Sequence, residues 1–323
     1  MFLALEGVCR RRGRTQVLED ITFGVDQGQI VSIIGPSGVG KTTLLEIIAG
    51  LDAPDKGGLT FGTPPSREHP VILVHQDFML FPNLTVYGNT AFGLTARRTP
   101  KAEVHRRVMA MLEYFHMADR GDSYPHQLSA GQKQRVAIAR AMVVEPMLLL
   151  LDEPFANLDR NLKMSTAEFL RQTQRNFGVT TIAATHDLEE ALAMSDRIGL
   201  LLDGRLAQYA PAHEIYHYPA NREAGEFLGP VNEIGPGIFH LLDLPENTQP
   251  DQALLVRPEC IELAAAPDGS GLITDVAFIG HYTKYRVELD GTTLQAYGQF
   301  GSITAGQRVS IRIRPCPGHR EVP

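Results

Sequence analysis

No apolar run in this chain reaches the roughly 18 consecutive residues that a bilayer-spanning helix needs, so the protein is not expected to cross a membrane itself. Cysteine is scarce. Cys9, Cys260 and Cys316 are odd in number and far apart, which suits neither a disulfide framework nor a zinc site and leaves them as buried or idle thiols. Positive charge is not in excess: the net charge of −7 argues against bulk electrostatic binding to nucleic acid, a local patch excepted. The N-terminus "MFLALEGVCRRRGR" has its basic run after a very short apolar piece, the reverse of a secretory signal, and points to a cytoplasmic chain. What remains is ordinary globular material, 323 residues with 43% hydrophobic and 21% charged, long enough for one large domain and a smaller one.

The strongest local signal is "IVSIIGPSGVGKTTLLEIIAG", where a β-branched apolar run meets a glycine-rich turn and then a helical pattern. Gly35, Gly38 and Gly40, with Pro36, Ser37 and Val39 between them, let the backbone wrap closely around phosphate. Lys41 would reach the outer phosphates, the Thr42 hydroxyl would ligate Mg²⁺, and Thr43 completes the first turn. A second apolar run, "MLLLLDEP", ends in two acids, as a buried parallel strand does where it meets a ligand crevice. Asp152 is placed to hold Mg²⁺ through water and Glu153 to orient and polarise an attacking water. The reaction class is nucleotide hydrolysis, with kinases, GTPases and motor ATPases still open at this point.

The stretch "HQLSAGQKQRVAIAR" offers a third anion-seeking feature. Ser129 can cap a helix over residues 130 to 142, whose N-terminus would attract negative charge. An ordinary capped surface helix is the competing reading.

With these motifs in place the chain resembles the ATP-binding subunits of ABC transporters over residues 1 to 228. The motifs stand in that family's order: the phosphate loop at 35 to 43, a glutamine loop "VHQD" with Gln76, the signature "LSAGQ" at 128 to 132, "LLLLDEP" at 148 to 154, a D-loop "NLD" at 157 to 159, and a histidine in "ATHD", His186. The resemblance implies an α/β P-loop NTPase domain of the ABC type with a helical subdomain. It also implies a head-to-tail homodimer that holds ATP between the phosphate loop of one copy and the signature of the other. Ser129, Gly131 and Gln132 would then meet the partner's nucleotide, Gln76 would sense Mg²⁺ and water, His186 would contact the γ-phosphate, and Asp159 would act across the interface. Asp187 and Glu190 form a capping-box pattern directly after that histidine.

Two departures stand out. Ala130 replaces the usual glycine of the signature, which would weaken function if the position needs φ > 0 or close approach. Arg12 falls where the family carries an adenine-stacking aromatic; its guanidinium plane can stack, or "RRRGR" is a solvated hairpin turn.

The apolar segment after Gln76 includes Phe78, Met79, Leu80 and Phe81. The resemblance implies docking there on a transmembrane permease subunit, with a substrate-binding protein as an indirect partner and no nucleic acid; simple core packing is the alternative. Val104, Val108, Met111, Leu112 and Phe115 mark one face of a core helix. From residue 229 the texture changes to short alternating strands. Tyr285, Val287 and Leu289 share a face, Asp290-Gly291 reads as a hairpin turn, and Val309, Ile311 and Ile313 alternate likewise. This second domain, 229 to 323, is expected to be a small all-β, OB-like barrel, and "VRPECIEL" and "FIGHYTKYRVELDG" resemble the TOBE domain of bacterial solute importers. The combined expectation is a peripheral ATPase on the cytoplasmic face of the inner membrane, using ATP and Mg²⁺ to drive import of a solute such as polyamine or ferric iron. A non-transport clamp on nucleic acid or ribosome would need long coiled coils or tandem ATPase domains, which the sequence lacks. An exporter subunit is a nearer rival, against which the TOBE-like domain argues.

Overall fold

The computed structural model describes residues 1–156, 160–245, 249, 251–298 and 303–314. The chain forms two compact units, Met1–Ala212 and His213–Pro323. Asp159 and Cys316 lie outside the described residues.

In the first unit β1 (Leu3–Arg12) and β2 (Thr15–Val25) make a hairpin, β3 (Ile30–Ile34) follows, and β4 (Lys56–Phe61) returns to pair with β1 in a three-stranded antiparallel sheet ordered β2-β1-β4. Helix α1 (Lys41–Ile48) lies between β3 and β4, and β5 (Val71–Val74) leads into a helical segment of α2 (Val86–Ala96), α3 (Lys101–Tyr114) and α4 (Ala130–Met142). The chain then alternates: β6 (Leu148–Asp152), α5 (Arg160–Phe177), β7 (Thr180–Thr185), α6 (Leu188–Met194), β8 (Arg197–Leu202) and β9 (Arg205–Pro211). The second sheet is ordered β5-β6-β7-β3-β8-β9, parallel except for β9.

Every residue of β3, β6 and β7 is buried, which is why these strands read as apolar or β-branched runs apart from Ser32 and the terminal Asp152: a parallel sheet is covered on both faces. The period of two then sorts side chains between two cores. Leu148 and Leu150 of β6 join α1 and the antiparallel sheet, while Leu149 and Leu151 join the helical segment. Val104, Val108, Leu112 and Phe115 are buried in that second core with Met111 packed against it, as the helical spacing predicts. Among the described residues no helix is long and apolar enough to cross a membrane.

The second unit carries two short helices, α7 (Ala212–His217), which begins at the junction, and α8 (Arg222–Phe227), then a two-stranded ladder of β10 (Asn232–Ile234) and β11 (Leu254–Val256). Its main sheet comprises β12 (Ile261–Ala265), β13 (Gly271–Phe278), β14 (Thr283–Leu289), β15 (Thr292–Gly298) and β16 (Arg308–Ile313), ordered β12-β16-β13-β14-β15 and antiparallel throughout. The edge strands β12 and β15 come against each other, giving the partly open barrel expected of an OB-like fold. Tyr285, Val287, Leu289, Val309, Ile311 and Ile313 all point into its core. Asp290 and Gly291 turn the β14–β15 hairpin with φ of 46° and 74°, the left-handed pair that a two-residue turn requires.

The Gly229-Pro230 break lies within the second compact unit. Arg257 is only 1% exposed, and its guanidinium donates to the carbonyls of Tyr216, Gly225, Gly229 and Pro230. It thereby gathers α7, α8 and the Gly-Pro link onto the β-rich unit. Cys260 is buried and Cys9 half-buried, both free thiols.

Candidate active site

Strand β3 runs directly into the glycine-rich loop, and sterics fix the loop's path. A Cβ on Gly35 would stand 2.2 Å from the Leu201 carbonyl oxygen, and one on Gly40 would stand 2.9 Å from that of Val17. Gly38 and Gly40 have φ of 80° and 114°, open to glycine and strained for any other residue. Gly40 is also the N-cap of α1 and brings no side-chain cap, so the first-turn N–H groups are left for an anion.

Lys41, the first residue of α1, is 6% exposed. Its Nζ donates to the carbonyls of Gly35 and Pro36 at 2.8 and 2.9 Å and lies 3.6 Å from Glu153 Oε1. Burial lowers its pKa, offset in part by Glu153. The Thr42 hydroxyl donates to Asp152 Oδ1 at 3.2 Å. Asp152 ends β6, where burial pushes its carboxyl above the ordinary range against the opposing Thr42 bond. Glu153 turns out of the strand with φ of 47°, and its N–H reaches the Ala184 carbonyl of β7 at 2.9 Å. His186 leaves the end of β7, and its Nδ1 comes within 2.6 Å of Glu153 Oε2. The phosphate loop, both acids and the histidine thus meet beyond the carboxyl ends of β3, β6 and β7, where open α/β sheets bind ligands.

Gly38, Gly40, Lys41, Thr42, Glu153 and His186 line one cavity of about 440 Å³ that also takes in Ser37, Thr43, Gln76 and Arg12, within the usual range for a small-molecule site; Asp152 does not line it and reaches it through the Thr42 hydroxyl, and Gly35, Pro36 and Val39 are not among its lining residues. Val17 and Ala156 line it too; neither was legible in the sequence, because Val17 arrives through the register of β2 and Ala156 through the turn after Glu153. Arg12 ends β1 beside the hairpin glycine Gly13, φ 63°, it borders the cavity, and its guanidinium is held by Glu46 of α1 at 2.6 Å. Mg²⁺ suits the donors here: the Thr42 hydroxyl and the Asp152 carboxylate are hard oxygens already converging. Among the described residues no cluster of three or more His, Cys, Asp or Glu side chains forms an all-protein metal cage, as expected for an ion that leans on substrate phosphates and water.

Ser129, Gly131 and Gln132 are not among the residues lining this cavity. Ser129 caps α4 by accepting the Gln132 N–H, and the Gln132 side chain accepts the Ser129 N–H at 2.9 Å, a reciprocal capping box. Ala130 is the first residue of α4 and does not have positive φ. The expected capping box after His186 is half made: Asp187 accepts the N–H groups of Glu189 and Glu190, while the Glu190 carboxylate turns inward to the Thr185 hydroxyl.

Phe78 is buried at 5%, whereas Met79 and Phe81 are 59% and 37% exposed; Leu80 is half-buried. Of the expected docking segment, Phe78 therefore belongs to the core. Phe78 and Met79 both have left-handed φ, 59° and 43°, and Arg140 of α4 secures that turn by donating to both carbonyls at 2.8 Å while lying 5.5 Å over the Phe81 ring. Phe81 stacks at 4.4 Å on Phe92 of α2, which is 46% exposed and was missed because α2 has no clear apolar stripe in sequence. Met79, Phe81, Phe92 and Arg140 border an apolar groove of about 600 Å³, and Phe78 and Leu80 are not among its lining residues.

A family profile described as "ABC transporter" matches residues 18–156, and one described as "TOBE domain" matches residues 254–320. The sulfate/thiosulfate import ATP-binding protein of Photorhabdus laumondii is 40% identical over 311 residues, covering 89% of this chain and 86% of that one. The Fe(3+) ions import ATP-binding protein of Rhizobium meliloti is 35% identical, covering 90% and 89%. Among solved structures, a dimeric post-hydrolysis ATP-binding cassette bound to ADP and Pi is similar with a TM-score of 0.58 and 29% identity, over 65% of this chain and 98% of that one. With the phosphate loop, paired acids and histidine gathered at one crevice, the chain belongs to the ABC transporter family, as an importer-type ATP-binding subunit with a TOBE domain.

Proposed function

We propose that the protein hydrolyses MgATP as a head-to-tail homodimer on the cytoplasmic face of the inner membrane, driving solute import through separate permease subunits. The observation that carries this reading is the convergence of Lys41, Thr42, Glu153 and His186 on one cavity, with Asp152 bonded to Thr42 at its edge. In this reading Lys41 exchanges the Gly35 and Pro36 carbonyls for phosphate oxygens, and the N–H groups at the start of α1 close around the same phosphates. Thr42, Asp152 and Gln76 would hold Mg²⁺, which would neutralise charge on the phosphates. A Glu153 carboxylate oxygen orients the attacking water and takes its proton, while His186 positions that carboxylate and contacts the γ-phosphate. Arg12, steadied by Glu46, offers a flat guanidinium to the base.

Ser129, Gly131 and Gln132 would serve the partner's nucleotide, with Asp159 acting across the same interface. That arrangement accounts for a finished, exposed helix N-terminus that stands outside its own cleft, and the dimeric cassette among the similar structures supports it. Because the grip is on a phosphate lost in hydrolysis, the dimer closes with ATP and loosens with ADP. The groove beside Met79, Leu80, Phe81 and Phe92 would receive the permease, with Phe78 and Arg140 shaping it from below.

The relatives' names support a sulfate-type oxyanion or ferric iron as solute, and none of those reported carries the name of a polyamine importer. The test is the ATPase rate of the protein co-purified with its permease in lipid, challenged with capture proteins loaded with sulfate, ferric iron or polyamine. Stimulation by sulfate or iron is expected. Stimulation by polyamine alone would overturn the solute assignment, and a chain that recovers no permease would overturn import.

A further inference from the structure

His186 stands between two residues that are both fastened to one buried cluster. The Thr185 hydroxyl donates to Glu190 Oε2 at 2.6 Å and accepts the Asp187 N–H at 3.0 Å. Asp187 Oδ1 accepts the N–H groups of Glu189 and Glu190 and so starts α6. From the facing helix α5, Lys163 Nζ lies 2.9 Å from Glu190 Oε1 and 3.6 Å from Asp187 Oδ2. Glu190 is 3% exposed, and burial raises its pKa against the bonds from Thr185 and Lys163. For Lys163 the carboxylate partners outweigh burial and raise the ammonium pKa. Two further contacts show that α5 is fixed in place: Arg171 donates to the Ala193 carbonyl of α6 at 3.0 Å, and the Arg135 guanidinium of α4 lies 5.6 Å over the Phe169 ring. The residues on both sides of the histidine are therefore linked to α5 through Lys163, in addition to the sheet that carries Thr185 and the Arg171 contact to α6.

We propose that Lys163 is a positioning residue for His186, acting through Glu190 and Asp187 and touching none of the reacting atoms. The proposal rests on the ATPase reading above. Removing one partner of a pair buried this far leaves the other charge uncompensated and costs stability, and holding His186 against Glu153 demands placement to within a fraction of an ångström. Lys163 is thus tied both to the fold and to geometry at the site, and the His186 signals separate the two.

The test uses the full chain with Lys163→Met, which keeps the stem and removes the ammonium, and Lys163→Arg, which keeps charge and donors. Lys163→Met should lower kcat by about tenfold to a hundredfold, leave KM and the number of nucleotides bound per chain close to wild type, and move the imidazole ¹⁵N signals of His186, assigned with His186→Gln. Lys163→Arg should restore most of kcat. If Lys163→Met does not fold, Glu190→Gln, nearly isosteric, weakens the same link and should show the same split. An unchanged kcat overturns the proposal, as does a loss fully explained by fewer nucleotide sites with the His186 signals unmoved. Should the wild-type chain hydrolyse no ATP, the ATPase reading falls instead. The imidazole signals then decide alone: moved signals support Lys163, and unmoved ones overturn it.

Discussion

His186 Nδ1 meets Glu153 Oε2 at 2.6 Å, and the contact is set by the sheet: β6 and β7 run parallel with Asp152 opposite Ala184, so the residues just past each strand end emerge side by side. Glu153→Gln keeps the shape and removes the proton acceptor. Turnover should fall by roughly 10²- to 10⁴-fold, with ATP affinity little changed, as read by steady-state ATPase assay and fluorescent-nucleotide titration. Brisk hydrolysis in this variant would remove Glu153 from the role of base.

The separation of Ser129 from the cleft yields a complementation test. Lys41→Ala disables a chain's own phosphate loop, and Ser129→Arg blocks the helix end offered to a partner. Each variant alone should be inactive. Mixed, they form heterodimers in which one composite site joins the intact loop of the second variant to the intact helix end of the first, and activity should reappear. Silence in the mixture, with both proteins folded and dimerising, would contradict a shared site.

Ala130 was a concern in the sequence because the family carries glycine there. In the fold it is an ordinary first-turn residue of α4, packed against the helical core, and nothing at the position requires positive φ. Ala130→Gly should therefore cost about 0.5–1 kcal/mol in a denaturant titration without raising turnover. A marked gain in kcat would show that close approach of the backbone, not helix geometry, governs this position.

Local signals carried the site: glycines where sterics demand them, and acids at the end of an all-buried run. They made the phosphate loop, Asp152 and Glu153 legible, along with the alternating faces of β14 and β16, whereas His186 came from the family resemblance. What could not be read is what tertiary register brings in. Val17 reaches the cavity only because β2 passes beside Gly40. Phe78 and Phe81 look alike in sequence, yet two left-handed residues turn one inward and leave the other exposed. Arg257 gives no local sign that it gathers four carbonyls, those of Gly229 and Pro230 among them.

Half-buried phenols make the alkaline limb of stability predictable. Tyr209 donates its hydroxyl to the Gly24 carbonyl at 2.6 Å, and burial raises its pKa above the ordinary 10.0, against an opposing contribution from Arg197. Tyr216 in the second unit is raised further, by burial and then by Glu259. A folded value above the unfolded one means that the native state holds its protons longer. The stability so contributed is complete below pH 10 and is lost as pH climbs through the folded values. Tyr297 is raised too, by burial and then by Tyr282, so phenolate absorbance followed with rising pH should show these three groups ionising late, together with loss of secondary structure. In Tyr209→Phe one late phenol should disappear, and about 1 kcal/mol of stability should be lost below pH 10 with the Gly24 bond. If all nine tyrosines ionised near pH 10 in a protein still folded, the burial that gives the sheet its two cores would be wrong at Tyr209.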